Sequence, residues 1–134
     1  MNGQSQTPDY AEIKRFVQQR LGCNCPESVF DSIRCEQAGY GGLEMPRVLI
    51  GERLLVLLLD ADLQEDIPSA VRQALRAGVA ERDRNGWNRV RLVLRGSCPG
   101  AWRELAEDAF VGMRPDDRTH LHVVDVAETA LLGI

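Results

Sequence analysis

Two cysteines separated by one residue make thiol chemistry the first chemistry that this sequence suggests. Cys23 and Cys25 flank Asn24 and are followed by Pro26, a residue that suits the first turn of a helix. Two thiols at this spacing can bind one soft cation or form a disulfide with each other. Unpaired N–H groups at the start of a helix would favour the thiolate form of Cys25. The alternative is that both thiols pack as small hydrophobic groups in the elbow between two helices.

Cys98 repeats the Cys-Pro arrangement where a predicted strand passes into a predicted helix. Helix-terminal amides can stabilise a thiolate there, so Cys98 joins Cys23 and Cys25 as a redox or metal thiol. The alternative is a plain helix N-cap. If the N-terminal helices fold over the carboxyl edge of the sheet, the three thiolates meet and form a site for zinc or another soft metal. Cys35 lies about 15 Å from Cys25 if one helix joins them, so it is left out of this site.

Carboxylates and imidazoles at strand positions supply two further candidate sites. Asp60 and Asp62 follow one predicted strand and Asp125 ends another, and the carboxyl ends of parallel strands meet at one edge of a sheet. Carboxylates there can hold magnesium, and the alternative is capping and solubility. His120 and His122 face the same side of a predicted strand. They can serve as a metal pair, but we favour a pair of solvent-facing or lightly buried imidazoles.

Composition and charge limit the partners of the chain. Its 134 residues match the size of one domain, and the net charge of −4 leaves no basic surface for nucleic acid or an anionic membrane. The Arg-rich stretches Arg82-Asp83-Arg84 and Arg89/Arg91 are interpreted as solvated faces. The polar residues 1–7 are predicted to be disordered and lack the apolar core of a signal peptide. We therefore expect a cytoplasmic protein with reduced thiols and no membrane segment.

The elements that position these residues are predicted from apolar patterning. The unbroken apolar run within Arg53–Leu59 predicts a strand that is buried on both faces. Arg47–Ile50 predicts a short edge strand that joins it through a hairpin at Gly51-Glu52. Residues 8–36 predict an N-terminal helical pair, and residues 46–134 predict a sheet with its covering helices. The predicted fold is α/β, with α+β as the alternative. It has a mixed four-stranded sheet with one antiparallel edge hairpin and two right-handed βαβ crossovers.

These patterns favour a small cytosolic thiol protein. Cys23 and Cys25, with Cys98, would bind a soft metal or undergo thiol redox chemistry. The alternative is a protein-interaction or scaffold module without chemistry of its own, in which a partner or a second copy pairs along the edge strand Arg47–Ile50. No constellation specific to a known active site is present in the sequence, so we assign no enzymatic activity.

Overall fold

The structure is a computed structural model, and it describes residues 7–134. Three helices and five strands make up most of this range. The helices are α1 (Tyr10–Arg15), α2 (Ile67–Asn85) and α3 (Pro99–Gly112), and the strands are β1 (Ile33–Tyr40), β2 (Leu43–Ile50), β3 (Leu54–Asp60), β4 (Arg89–Gly96) and β5 (Thr119–Asp125). A π-helical turn, Phe16–Arg20, continues α1, and 3₁₀ turns cover Glu27–Asp31, Ala61–Leu63 and Val126–Thr129.

The five strands form one mixed sheet in the order β1-β2-β3-β4-β5. The first three are antiparallel neighbours joined by hairpins, whereas β3, β4 and β5 run parallel and are connected through α2 and α3. Both crossover helices pack on the same face of the sheet, so the two crossovers have the same hand. The predicted mixed α/β class is therefore confirmed.

The central strand β3 is buried along its whole apolar length, as the sequence predicts. Leu54 to Leu59 are each at most 2% exposed to solvent. Alternate side chains point to opposite faces, so one set packs against α2 and α3 and the other against the N-terminal segment. Each fully buried aliphatic side chain contributes roughly 1.5–3 kcal/mol of transfer free energy. This strand is the common wall of both cores.

Helix α2 begins and ends at residues whose types favour helix caps, Asp66 and Gly86. The carboxylate of Asp66 accepts a hydrogen bond from the Ser69 N–H at 3.0 Å, and Pro68 lies in the first turn. Gly86 ends the helix with a φ of 71°, a conformation that costs a glycine little. The helix buries Val71, Ala74 and Leu75 against the sheet.

The prediction of a second N-terminal helix is wrong. Only the short 3₁₀ turn Glu27–Asp31 is helical, and the chain then enters β1, which pairs with β2 from Ile33↔Ile50 to Tyr40↔Leu43. Val29, Phe30 and Ile33 fit a helical spacing, but the long hairpin with β2 overrides that local pattern. The sheet consequently has five strands rather than four. Arg47–Ile50 is part of β2, which lies between β1 and β3 and is not an edge strand.

The N-terminal segment covers the face of the sheet opposite to α2 and α3. Thr7 followed by Pro8 predicts a helix capped at Thr7, but helix α1 begins two residues later, because the Asp9 carboxylate accepts from the Glu12 N–H at 3.1 Å and acts as the N-cap. Residues 1–6 of the predicted disordered lead lie outside the described residues. Among residues 7–134, no helix has the length and apolar character needed to cross a membrane.

Candidate functional site

The loop between the N-terminal helix and the sheet carries the Cys23–Cys25 pair and lies at the amino edge of the parallel strands. The π-helical turn ends with a hydrogen bond from the Leu21 N–H to the Phe16 carbonyl, and Gly22 then reverses the chain with a φ of 72°. The Cys23 N–H donates to the Val17 carbonyl at 3.1 Å, which fixes the first cysteine against the helix.

The two sulfurs of this loop are joined in a disulfide. The Cα atoms of Cys23 and Cys25 are 5.4 Å apart, within the range of disulfide-linked residues. Cys23 is buried and Cys25 is half-buried, and both contact the core formed by the N-terminal segment and the sheet. Of the two alternatives for this spacing, one soft cation or one disulfide, the arrangement corresponds to the disulfide.

A pocket of about 320 Å³ opens between this loop and the first residues of β3 and β4. The disulfide forms part of its wall, and three arginines, Arg53, Arg89 and Arg91, line it as well. No acidic side chain of the described residues lines this pocket. The disulfide therefore lies beside a surface whose charged side chains are cationic.

Arg91 is the most deeply placed of these arginines. It is 9% exposed, and its Nη1 donates to the Leu21 carbonyl at 3.1 Å and to His122 Nε2 at 2.9 Å. Its buried Nε has no hydrogen-bond partner within residues 7–134. Burial, together with the neighbouring charge of Arg89, lowers the pKa of Arg91. The interpretation of the Arg-rich stretches as solvated faces is therefore wrong for Arg91, and it is also wrong for Arg82, which is 2% exposed.

The two histidines face the same side of β5 but are held by arginines rather than by each other. Their ring centroids are 6.5 Å apart, and His120 Nε2 lies 3.1 Å from Arg89 Nη1. A guanidinium only donates hydrogen bonds, so each Nε2 must accept and each ring is neutral. Burial, followed by the charge of Arg91, lowers the pKa of His122 to about 4. The lone pairs that would bind a metal are thus directed at arginine N–H groups.

Cys98 lies far from the disulfide, so the three thiols that the sequence predicts to meet are not brought together. Cys98 is exposed at the N-cap of α3, beyond the carboxyl end of β4. The disulfide loop contacts the opposite end of that strand, and β4 from Arg89 to Gly96 spans about 23 Å. The expectation that both Cys-Pro corners gather at one edge of the sheet is wrong, because the loop packs at the amino edge.

Cys35 does not complete a metal site either. It lies half-buried in β1, where burial raises the pKa of its thiol. Within residues 7–134, no group of three or more histidine, cysteine or acidic side chains is placed to hold a metal ion. Structural zinc sites use four ligands, and Cys23 with Cys25 would supply two of them.

The predicted magnesium ligands each stabilise a local structure. The Asp60 carboxylate accepts from Arg95 Nε at 2.6 Å, and Asp62 accepts from the Ser97 N–H at 3.0 Å. Asp125 accepts from the Ala127 N–H at 2.8 Å and caps the 3₁₀ turn after β5. β4 lies between the ends of β3 and β5, so Asp60 and Asp125 are separated by roughly 10 Å, two strand spacings.

The arginines of the pocket are candidate site residues that the sequence did not identify. Arg89 and Arg91 alternate along a predicted strand, as do His120 and His122 along the next one. Residues two apart share a face of a sheet, so this matched alternation was a signal that the two pairs could meet. Parallel pairing of Arg91 with His120 and Val93 with His122 produces that contact.

Comparisons with known proteins add no relative. No family model matches the chain, and searches of curated proteins and of solved structures gave no match.

Proposed function

We propose that this chain is a thiol–disulfide redox protein whose working pair is Cys23 and Cys25. The observation that carries the proposal is the position of the disulfide in the wall of an open, arginine-lined pocket. A structural disulfide needs no access to small molecules, whereas a redox-active one needs access and is favoured by nearby positive charge. We place redox chemistry ahead of soft-metal binding because the described residues supply no third ligand beside the pair.

The exchange reaction uses an external dithiol as the co-reactant. Its thiolate attacks Sγ of Cys25, the more exposed of the two cysteines, and the Cys23–Cys25 bond breaks as a mixed disulfide forms. Cys23 leaves as a thiolate, which the nearby arginine charges stabilise. The second thiol of the dithiol then attacks the mixed disulfide and releases Cys25. The two cysteines together gain two electrons and two protons, and the external dithiol becomes a disulfide.

The test is a redox titration of the variant Cys35→Ser/Cys98→Ser, in which Cys23 and Cys25 are the only cysteines. We expect two thiols to become alkylatable on reduction with dithiothreitol and both to disappear on oxidation with oxidised glutathione. The protein should remain folded in both states. Adding Cys23→Ser should leave Cys25 as the one thiol, which forms a mixed disulfide with glutathione. Two persistently free thiols in the oxidant, or unfolding on reduction, would overturn the proposal.

A second candidate function is protein binding by strand addition. The strand that would accept a partner is β1, and not the segment Arg47–Ile50 that the sequence suggests. β1 is eight residues long and pairs with β2 on one side only within the described residues. An unpaired edge of this length can accept a strand from a partner or from a second copy. A stable dimer that persists when Cys23, Cys25 and Cys98 are replaced by serine would favour this function, measured by light scattering after size-exclusion chromatography.

A further inference from the structure

The arginines of the pocket lack the carboxylate partners that similar arginines have elsewhere in this protein. Arg82 and Arg95 are 2% and 8% exposed, and they pair with Asp116 and Asp60 at 2.8 and 2.6 Å. Arg91 is 9% exposed, yet within residues 7–134 it forms no ion pair. Buried charges in proteins are ordinarily paired, so the missing counter-charge of Arg91 needs an explanation.

Two further arginines add to the positive charge around Arg91. Arg53 and Arg89 line the same pocket and also pair with no carboxylate of the described residues. The groups that do contact Arg91 are the Leu21 carbonyl and a neutral imidazole, which leave its charge uncompensated. Three arginines therefore line one space that is large enough for several non-hydrogen atoms, and no acid of the described residues lines it.

We propose that this pocket binds the phosphate or carboxylate group of a small-molecule ligand, with Arg53, Arg89 and Arg91 as its cationic partners. Guanidinium groups match the planar geometry of carboxylate oxygens and the oxygens of a phosphate, and they bind either through paired N–H donors. The bound anion supplies the counter-charge that the fold does not. Because Cys23 and Cys25 form part of the same wall, the ligand lies against the disulfide. The binding does not depend on the redox proposal.

The test titrates inorganic phosphate and, separately, succinate into the full chain at constant ionic strength, with chloride as the balancing ion. The two histidines provide the readout, because His122 Nε2 contacts Arg91 directly and His120 Nε2 contacts Arg89. We expect saturable shifts of their ring proton signals in NMR spectra. Tighter binding of phosphate identifies a phosphate ligand, and tighter binding of succinate identifies a carboxylate ligand.

Variants at the rim of the pocket test the assignment without disturbing the buried Arg91. Arg53→Gln and Arg89→Gln should each weaken binding by at least about tenfold, because each removes charge-assisted hydrogen bonds to the anion. Arg72→Gln, on α2 and outside the pocket, is the matched control and should leave the affinity unchanged. The Cys23→Ser/Cys25→Ser variant should still bind, which separates this inference from the redox proposal.

The inference is overturned by any of three results. One is the absence of a saturable shift at either histidine up to about 50 mM anion, a range that detects even very weak binding. Another is an equal response to chloride alone. The last is that Arg53→Gln and Arg89→Gln bind the anion as tightly as the control variant does.

Discussion

The imidazole of His122 makes the stability of this protein depend on pH in a way that can be calculated. Its pKa is lowered from 6.5 to about 4, chiefly by burial and then by the charge of Arg91. Between these two values the unfolded chain binds a proton at this side chain and the folded chain does not. Linkage therefore requires that the free energy of unfolding falls as the pH falls through this range, and that the contribution is intact above about pH 6.5.

The size of the effect follows from the same two pKa values. Each pKa unit corresponds to about 1.4 kcal/mol, so the loss reaches about 3 kcal/mol well below pH 4 and ~2 kcal/mol at pH 5. The assay is urea denaturation at about pH 7.5 and about pH 5, for the wild type and for His122→Gln. Glutamine retains an acceptor for Arg91 and does not titrate, so the other titrating groups cancel between the two proteins.

We expect the wild type to lose ~2 kcal/mol more than His122→Gln between these two pH values. An NMR titration of the His122 ring proton in the folded wild type should give a midpoint well below 6.5. Equal pH dependence of the two proteins, together with an ordinary midpoint for His122, would refute the argument. Such a result would mean that the imidazole is more hydrated, or less affected by Arg91, than the geometry indicates.

Two further predictions concern the packing that holds the site. Gly51→Ala should lower the free energy of unfolding, measured by urea denaturation, by ~1–3 kcal/mol more than Gly86→Ala does. Both glycines have positive φ, but only at position 51 would the new methyl lie 2.8 Å from the Val29 carbonyl oxygen. Equal losses in the two variants would contradict this prediction. Asp116→Asn should destabilise the chain by ~1–3 kcal/mol, since buried Arg82 would keep only the exposed Asp83 as a charged partner, and a loss under ~0.5 kcal/mol would show that the Asp116 pair is dispensable.

The strand β1 shows why one part of the fold escaped prediction. Residues 33–40 contain a glutamate, a glutamine, a cysteine and a glycine, and they include no apolar run. Their strand conformation depends on pairing with β2 across the turn at Gly41 and Gly42, which have φ angles of 60° and 96°. Hairpin pairing depends on contacts between segments, so local patterning in 26–35 pointed to a helix instead.

The candidate site escaped prediction for a related reason. Cys23 and Cys25 were recognised from their spacing, but their surroundings depend on which edge of the sheet the N-terminal segment packs against. That choice moved the disulfide away from Cys98 and toward Arg89 and Arg91. Side chains that look solvated in a sequence become buried when another element covers them, as the exposure of Arg91 shows.

By itself, the sequence determined the buried central strand, the caps of α2 and the parallel crossovers, because each follows from contacts between near neighbours or from unbroken apolarity. Only the tertiary structure decided that two thiols form a disulfide, that a third lies beyond the opposite end of β4, and that three arginines line a pocket without an acid of the described residues. Those features arise from elements distant in the chain that pack face to face, and no local pattern encodes the distance between them.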